Sequence, residues 1–205
     1  MTHYTLAIMS NNAGKLAEIR AYFPDSSLNV VPYTDLFDNV IEVVEDGVTF
    51  EENAIKKAQA CPSLPNTVYL ADDSGLEVEA LNGEPGVYSA RYAGPNPTTE
   101  TLCNKILSEL SGQTNRRARF CSTIAIRYPD GIIDVVKGIV NGTIITHMVG
   151  TQGFGYDPIF TPDGFDLTFA QMDETAKNAI SHRGRALALA KQHLNTFLNP
   201  PCQNA

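Results

Sequence analysis

Two adjacent carboxylates, Asp72 and Asp73, give the strongest chemical signal in the sequence. They lie between an apolar run at residues 68–71 and the pair Ser74-Gly75, a pattern that predicts the end of a buried strand facing a cleft. Adjacent carboxylates repel each other unless a positive group neutralises them, and Mg²⁺ is a cation that favours carboxylate oxygen. The segment therefore predicts a metal site, although Asp-Asp-Ser-Gly is also typical of an ordinary turn.

A second segment could bind an anion at the junction between the first strand and the first helix. Backbone amides at a helix N-terminus together with a lysine form a cradle for negative charge. The spacing is not that of a Walker A loop, and a plain N-cap followed by a solvated lysine is the alternative. The segment consists of Ser10, Asn11, Asn12, Ala13, Gly14 and Lys15.

Lys57 and Glu45 are candidates to join the carboxylate site. Residues 49–52 form a capping box that predicts the start of a helix ending near Cys61. Lys57 lies on a mostly apolar face of that helix, although its side chain could still reach solvent. Glu45 lies in the acidic loop before the helix and could add a carboxylate to the metal site.

The C-terminal half contains two further polar clusters. Residues 153–158 frame aromatic rings with glycines, which lets a ring lie flat against a ligand, although a core turn is equally consistent. Ser181 can cap the last helix and would leave His182 and Arg183 at its start, with Lys177 nearby. These donors suit an acceptor-rich ligand, and a solvated basic turn is the alternative.

The elements that must position these residues indicate a mixed α/β fold. Strands and helices alternate in the first half, long β runs fill the middle, and an amphipathic helix closes the chain. This order predicts a mixed sheet with flanking helices and a cleft between two lobes. Because no linker divides the chain, we expect a single domain spanning residues 1–205.

Two local predictions concern the middle of the chain. Residues 118–128 and 132–140 should form a hairpin, and the Asn-Gly pair at 141–142 should turn into a further strand at 143–147. Residues 96–97, an Asn-Pro pair, should provide the N-cap and first residue of a helix that ends near Leu110.

Composition limits the possible partners. The net charge of −8 argues against duplex DNA and anionic membrane surfaces as partners. No apolar run approaches the roughly 20 residues that span a bilayer, and no signal peptide pattern opens the chain, so we expect a cytoplasmic protein. The four cysteines lack the spacing of a zinc site and are expected to be free thiols: Cys61, Cys103, Cys121 and Cys202.

With these segments identified, the chain resembles the inosine triphosphate pyrophosphatase family, which acts on noncanonical purine nucleoside triphosphates. The matching segments cover nearly the whole chain in family order: residues 10–15, 49–54 with Lys57, 71–75, 85–92, 153–158 and 181–183. The resemblance implies Mg²⁺-dependent hydrolysis of ITP, dITP and XTP to the monophosphate and pyrophosphate. It also implies an elongated α/β fold with the site between two lobes, and a homodimer.

The resemblance further implies a role for each candidate residue. Asp73 would be the proton acceptor and a metal ligand, Asp72 would support it, and Lys57 would face the phosphates. Glu45 would complete the metal site, with Glu42 or Asp46 as alternatives for that carboxylate. Residues 10–15, with Lys15 as their cation, would hold the triphosphate together with Ser74. The purine base would be held by Phe154, Gly155, Tyr156, Asp157, Lys177, His182 and Arg183.

Donors at His182 and Arg183 would explain base selection. Hypoxanthine and xanthine carry an acceptor at position 6, where adenine carries an amino donor, and two donors facing each other leave both unpaired. Two other functions fit parts of the pattern: a nucleotide-binding regulator without hydrolysis, and a pyrophosphatase for modified pyrimidine nucleotides.

Overall fold

The computed structural model describes residues 3–24, 28–38 and 41–200, and their strands form one mixed sheet in the order β2-β1-β3-β4-β5-β6. β1 pairs in parallel with β2 and β3, and the remaining pairs are antiparallel. The strands are β1 (Tyr4–Ile8), β2 (Leu28–Pro32), β3 (Thr67–Val78), β4 (Arg117–Arg127), β5 (Ile133–Ile144) and β6 (Phe160–Pro162). The flanking helices are α1 (Ala13–Tyr22), α2 (Phe50–Ala60), α3 (Thr99–Glu109), α4 (Glu174–Ile180) and α5 (His182–Leu198). The predicted mixed sheet with flanking helices is confirmed.

The central strand β3 continues through the aspartate pair. β1 pairs with β3 only as far as Leu70, whereas β4 pairs with it from Tyr69 to Val78. The expectation that the strand ends at the aspartate pair is therefore wrong. The aspartates lie in mid-strand with respect to β4, but just past the point where β1 leaves the sheet.

Three apolar clusters divide the molecule into two lobes around this point. Alternate residues of a strand face opposite sides of a sheet, and the first part of β3 is buried on both. Val68 and Leu70 pack with α1 and α5, whereas Tyr69 and Ala71 pack with α2. After the polar segment at residues 72–75, β3 joins the third cluster, which includes α3. The polar segment thus lies between the lobes, as the predicted cleft requires.

The Asn141-Gly142 pair is not a turn. β5 runs through it without interruption, and Gly142 pairs with Ala118 on one side and Pro162 on the other. A Cβ on Gly142 would lie 2.3 Å from the Thr161 carbonyl oxygen. Glycine is required here because β6 approaches closely, and the sequence alone could not distinguish this need from that of a turn.

The predicted N-cap of α3 is shifted by two residues. Thr98 caps the helix, since its Oγ1 accepts a hydrogen bond from the Thr101 amide at 3.1 Å. Asn96 instead adopts a left-handed conformation with φ of 50°. The predicted helix is present, but the Thr98 hydroxyl caps its first turn in place of the Asn-Pro pair.

The other two predicted helix starts are confirmed. The Thr49 hydroxyl accepts a hydrogen bond from the Glu52 amide at 3.1 Å, and the Ser181 hydroxyl accepts one from the Gly184 amide at 3.0 Å. The Glu52 carboxylate accepts from the Val48 amide at 2.8 Å rather than from Thr49, so the capping box is only half formed.

Two expectations from composition concern the cysteines and the absence of membrane-spanning segments. Cys61, Cys103 and Cys121 are free thiols, as predicted, and Cys202 lies outside the described residues. Across residues 3–24, 28–38 and 41–200, none of the helices combines the length and apolar character that a membrane crossing demands.

Candidate active site

A cleft of about 680 Å³ between the two lobes gathers nearly all the predicted site residues. The residues of that prediction that line the cleft are Ser10, Asn11, Asn12, Lys15, Glu45, Lys57, Asp72, Asp73, Ser74, Phe154, Gly155, Tyr156, Asp157, Lys177, His182 and Arg183. The other two, Ala13 and Gly14, form the first turn of α1 next to it. There the Phe154 ring packs so closely that a Cβ on Gly14 would lie 2.7 Å from a ring carbon.

The two aspartates do not form one carboxylate pair, because they face opposite sides of the sheet. Asp72 follows Val68 and Leu70 on the side of α1 and α5, whereas Asp73 follows Tyr69 and Ala71 on the side of α2. Each carboxylate has its own cationic partners. The expectation that the two carboxylates form one pair is therefore wrong, and only Asp73 lies on the side of Glu45.

Asp72 is a buried anion held by basic and hydroxyl groups. Its carboxylate accepts hydrogen bonds from Lys15 Nζ at 2.8 Å, Arg183 Nε at 3.3 Å, Ser122 Oγ at 2.6 Å and Ser74 Oγ at 3.1 Å. Burial by itself would raise the pKa of Asp72, but the Lys15 and Arg183 charges outweigh it and hold that pKa below its usual range. Asp72 is therefore ionised at neutral pH.

Asp73 lies in a different electrostatic environment. Its Oδ1 accepts a hydrogen bond from Lys57 Nζ at 2.6 Å, and the same ammonium lies 2.9 Å from the Glu45 carboxylate. Burial raises the pKa of Asp73 even though the Lys57 charge opposes the shift. Burial would lower the pKa of Lys57, but Asp73 and Glu45 together raise it. Lys57 is therefore a buried cation and not a side chain that extends to solvent.

The early end of β1 allows Lys15 and Lys57 to meet at one backbone carbonyl. The Met9 amide donates to the Leu70 carbonyl at 2.8 Å, and this is the last hydrogen bond between the β1 segment and β3. The next carbonyl on this edge is that of Asp72, which accepts from Lys15 Nζ at 3.3 Å and from Lys57 Nζ at 3.4 Å. Two positive charges from different helices thus lie side by side at the sheet edge, where a polyanion could enter.

The three carboxylates of the acidic loop that the sequence offered as metal ligands lie in different places. Glu45 contacts Lys57 inside the cleft, and Glu42 also lines it. Asp46 instead forms an ion pair with Lys56 on the exposed side of α2. Of the three carboxylates considered for a metal ligand, Glu45 has the geometry that fits best.

The loop before α1 is an ordered cap as well as a wall of the cleft. Asn12 Oδ1 accepts a hydrogen bond from the Lys15 amide at 3.0 Å, and Ser10 Oγ accepts one from the Asn12 amide at 3.2 Å. These bonds fix the start of the helix and direct Lys15 toward Asp72. The N-cap part of the alternative for this segment is correct, but Lys15 pairs with Asp72 and is not a solvated lysine.

Through Arg183, the ion pairs around Asp72 continue into a further group of buried charges. Lys177 Nζ lies 2.7 Å from the Asp157 carboxylate, 2.9 Å from that of Glu18 and 5.0 Å from the centre of the Phe154 ring. Arg183 forms an ion pair with the same Glu18 and donates to Ser74 Oγ at 2.8 Å. Lys177 and Arg183 thus both lie beside the Phe154 ring. The ring forms an aromatic wall of the cleft next to these fixed charges.

Glu18 and Ser122 are partners of the site that the sequence pattern did not reveal. Glu18 is buried on α1 between Lys177 and Arg183, and Ser122 on β4 donates to Asp72. Glu18 follows Lys15 by three residues and so shares its helix face, which was an available signal. Ser122 carried none, because only the pairing of β3 with β4 sets it opposite Ser74, next to Asp72.

Tyr156 and His182 occupy the inner wall. The Tyr156 hydroxyl donates to the Ser89 carbonyl at 2.8 Å. This bond links the glycine-framed segment at residues 153–158 to the segment at residues 86–91. The His182 ring stacks on Phe120 with centroids 4.7 Å apart. Its Nδ1 is buried and has no hydrogen-bond partner among the described residues.

Acid should weaken the fold through His182. Burial, with help from Arg183, holds the pKa of His182 well below its usual value of 6.5. Below pH 6.5 the unfolded chain binds a proton that the folded chain does not, so the free energy of unfolding should fall by up to about 1.4 kcal/mol per pH unit. We expect H182N to lack this component when urea denaturation is compared between pH 7.5 and 5. Parallel pH curves for the two proteins would contradict it.

Comparison with known proteins gives a consistent result over nearly the whole chain. Residues 6–193 match the model of the Ham1 family. A protein named dITP/XTP pyrophosphatase from Staphylococcus aureus strain MW2 is 46% identical over 189 residues, covering 92% of this chain and 95% of the relative. A protein of the same name from Geobacter sulfurreducens is 47% identical over 191 residues, covering 92% and 96%.

A solved structure supports the fold as well. The Staphylococcus aureus Ham1 protein superposes with a TM-score of 0.84 at 44% sequence identity, covering 94% of this chain and 99% of the other. The arrangement of lobes and cleft described above is therefore similar to that of an experimentally determined relative.

Proposed function

Because the chain belongs to the Ham1 family, we propose that it hydrolyses the noncanonical purine nucleoside triphosphates ITP, dITP and XTP. The products are the nucleoside monophosphate and pyrophosphate. The relatives named dITP/XTP pyrophosphatase supply the substrate class, and the cleft supplies groups suited to that reaction.

One observation carries this proposal. Asp73, a buried carboxylate, lies within the same cleft as two lysines that share the Asp72 carbonyl. A triphosphate brings negative charge to such lysines, and its hydrolysis needs a group that accepts a proton from water. Both requirements are met within a few ångströms.

The residues present also fit Mg²⁺ as a cofactor. Asp73 and Glu45 converge on one ammonium group, so their oxygens are close enough to share a cation. The described residues contain no group of three or more metal-ligating side chains, so substrate phosphates and water would have to supply the remaining ligands. When bound there, Mg²⁺ would neutralise phosphoryl oxygens and so assist departure of pyrophosphate.

The two aspartates have different roles because their environments shift their pKa values in opposite directions. Asp73, whose pKa is raised by burial, accepts the proton of the water that attacks the α-phosphorus. Asp72, whose pKa is lowered by its cations in spite of burial, stays ionised and holds Lys15 in place. Asp72 therefore supports the reaction and takes no proton.

The phosphates contact the lysines and the loop before α1. Lys15 and Lys57 offset the charge that builds on the leaving pyrophosphate, while Ser10, Asn11 and Asn12, with Ser74, bind oxygen atoms along the chain. The amides of Ala13 and Gly14 open α1 and add the positive end of the helix. Lys57 stays protonated because of Asp73 and Glu45, and so it serves as a fixed charge.

The base occupies the aromatic end of the cleft. Phe154 provides the ring, and Gly155, Tyr156 and Asp157 complete the wall that Lys177 anchors. Arg183 and His182 select the acceptor at position 6 of the purine. Arg183 is held by Glu18, Asp72 and Ser74, so its orientation is set before the base arrives. His182 is neutral and keeps its unpaired Nδ1 for the ligand.

A panel of nucleotides tests the proposal directly. Purified protein with Mg²⁺ should release pyrophosphate, and no orthophosphate, from ITP, dITP and XTP. ATP should react at least about 100-fold more slowly in kcat/KM, because its 6-amino donor would leave the buried donors of His182 and Arg183 unpaired. Orthophosphate without pyrophosphate would contradict attack at the α-phosphorus. Binding without turnover would favour the regulator, and turnover of modified pyrimidines would favour the third function.

The organisation of the protein is part of the same proposal. The whole chain would act as one domain in the cytoplasm, as the sequence predicts, and as a homodimer, as the family resemblance implies. Light scattering on the eluted peak of a sizing column would measure the mass, and a monomer at micromolar concentration would contradict the dimer.

A further inference from the structure

Asn53 is a fully buried polar residue in the first turns of α2, directly behind the carboxylates of the cleft. Its Oδ1 accepts a hydrogen bond from the Gly47 amide at 2.8 Å, and its Nδ2 donates to Asp73 Oδ2 at 3.3 Å. The partners fix the orientation of the amide, since a backbone N–H can only donate and an ionised carboxylate can only accept. One side chain thus joins the acidic loop to the proposed base.

The contact with the loop is close enough to select the residue at position 47. A Cβ on Gly47 would lie 2.6 Å from Asn53 Oδ1. Gly47 follows Glu45 by two residues, so fixing its backbone restrains where the Glu45 carboxylate lies. Glu45 in turn contacts Lys57 at 2.9 Å.

The contact with Asp73 completes the surroundings of that carboxylate. Lys57 holds Oδ1 at 2.6 Å and Asn53 approaches Oδ2, so both oxygens have a donor. Lys57 and Asn53 lie four residues apart on α2 and therefore share a face. The helix presents two donors to one carboxylate, and this fixes the plane in which its lone pairs lie.

We propose that Asn53 is a positioning residue that aligns Asp73 and the Glu45 loop for hydrolysis, an inference that rests on the proposed function. It touches neither the substrate nor the attacking water. It acts through two separate hydrogen bonds, one to the base and one to the loop, and different substitutions can remove them selectively. Misplacement of a reacting group by about 1 Å can cost about 100-fold in rate.

The pair N53D and N53L separates the two hydrogen bonds. Aspartate keeps an acceptor for the Gly47 amide but replaces the donor to Asp73 with a second carboxylate that repels it, whereas leucine loses both hydrogen bonds at similar volume and adds no charge. We expect N53D to lower kcat for ITP by about 10- to 100-fold with KM within about threefold. N53L should also raise the Mg²⁺ concentration for half-maximal activity at least about fivefold, because it releases the Glu45 loop.

The control is Q59E, which makes the same amide-to-carboxylate change at an exposed position of the same helix. Its kcat and KM should stay within about twofold of the wild type. Thermal melting of every variant measures how much of it is folded at the assay temperature. A fall in kcat no larger than the loss of folded protein would overturn the positioning role.

Hydrogen exchange of the Gly47 amide tests the loop contact without substrate or metal. The amide should stay protected in N53D and exchange at least about tenfold faster in N53L. Equal protection in both variants would show that Asn53 does not hold the loop. Wild-type protein inactive on ITP, dITP and XTP would overturn both proposals, whereas an active wild type with unimpaired N53D and N53L would overturn only this one.

Discussion

Replacing Asp73 with asparagine should lower kcat for ITP by about 1,000-fold. A general base contributes about 10²- to 10⁴-fold, and an amide cannot accept the proton of the attacking water. Asparagine keeps the volume of the side chain, and its Oδ1 can still accept from Lys57. The dissociation constant of a nonhydrolysable ITP analogue should therefore stay within about tenfold of the wild type when measured by calorimetry.

The matched control for this variant is D46N. Asp46 belongs to the same acidic part of the chain but forms its ion pair with Lys56 on the exposed side of α2. D46N should keep the turnover of the wild type. Full activity of D73N would show that another group is the base, and loss of activity in D46N would restore Asp46 as a metal ligand.

Replacing Asp72 with asparagine should cause the largest loss of stability. Asp72 is the anion between Lys15 and Arg183, so the variant leaves two buried cations facing each other without it. Breaking a buried ion pair costs about 3–5 kcal/mol, and in a chain of this size each kcal/mol lowers the melting temperature by about 2–4 °C. A fall of roughly 10 °C is expected in calorimetry at pH 7.

The control is D163N, whose carboxylate pairs with Arg117 on the exposed surface. A surface pair contributes little, so its melting temperature should change by no more than about 2 °C. The Asp72 pKa is lower in the folded chain than its ordinary 3.8. The stability that Asp72 provides is therefore present above pH 3.8 and is lost as the pH falls below it, and the gap between D72N and wild type should narrow there. Equal melting temperatures at pH 7 would contradict the role of Asp72.

These two variants show how differently two neighbouring aspartates can behave. From the sequence, both residues were predicted to form one acidic site at a strand end, because they are adjacent in the chain. In the structure, the alternation of a strand sends Asp72 to α1 and α5 and Asp73 to α2. Their different pKa shifts follow from this separation, which the sequence interpretation missed because it ended the strand at Asp72.

Local patterns determined much of the fold. The capping residues Thr49 and Ser181 start α2 and α5 as predicted, because a side chain that accepts from an amide three residues on needs no tertiary partner. The Asn141-Gly142 pair does not form the predicted turn. Glycine is needed there because β6, which is distant in sequence, approaches closely. Hydrogen bonds between residues close in sequence can be predicted from the chain, whereas packing between distant residues cannot.

The sequence by itself determined which residue types meet in the cleft, since segments from residue 10 to residue 183 matched one family pattern in order. Only the tertiary structure decided how they are paired. The buried partners Glu18, Asn53 and Ser122 acquire their roles from the way α1, α2 and β4 pack against β3. The physical reason is that a buried charge or amide must find its hydrogen-bond partners in space, and these partners lie up to 165 residues away along the chain.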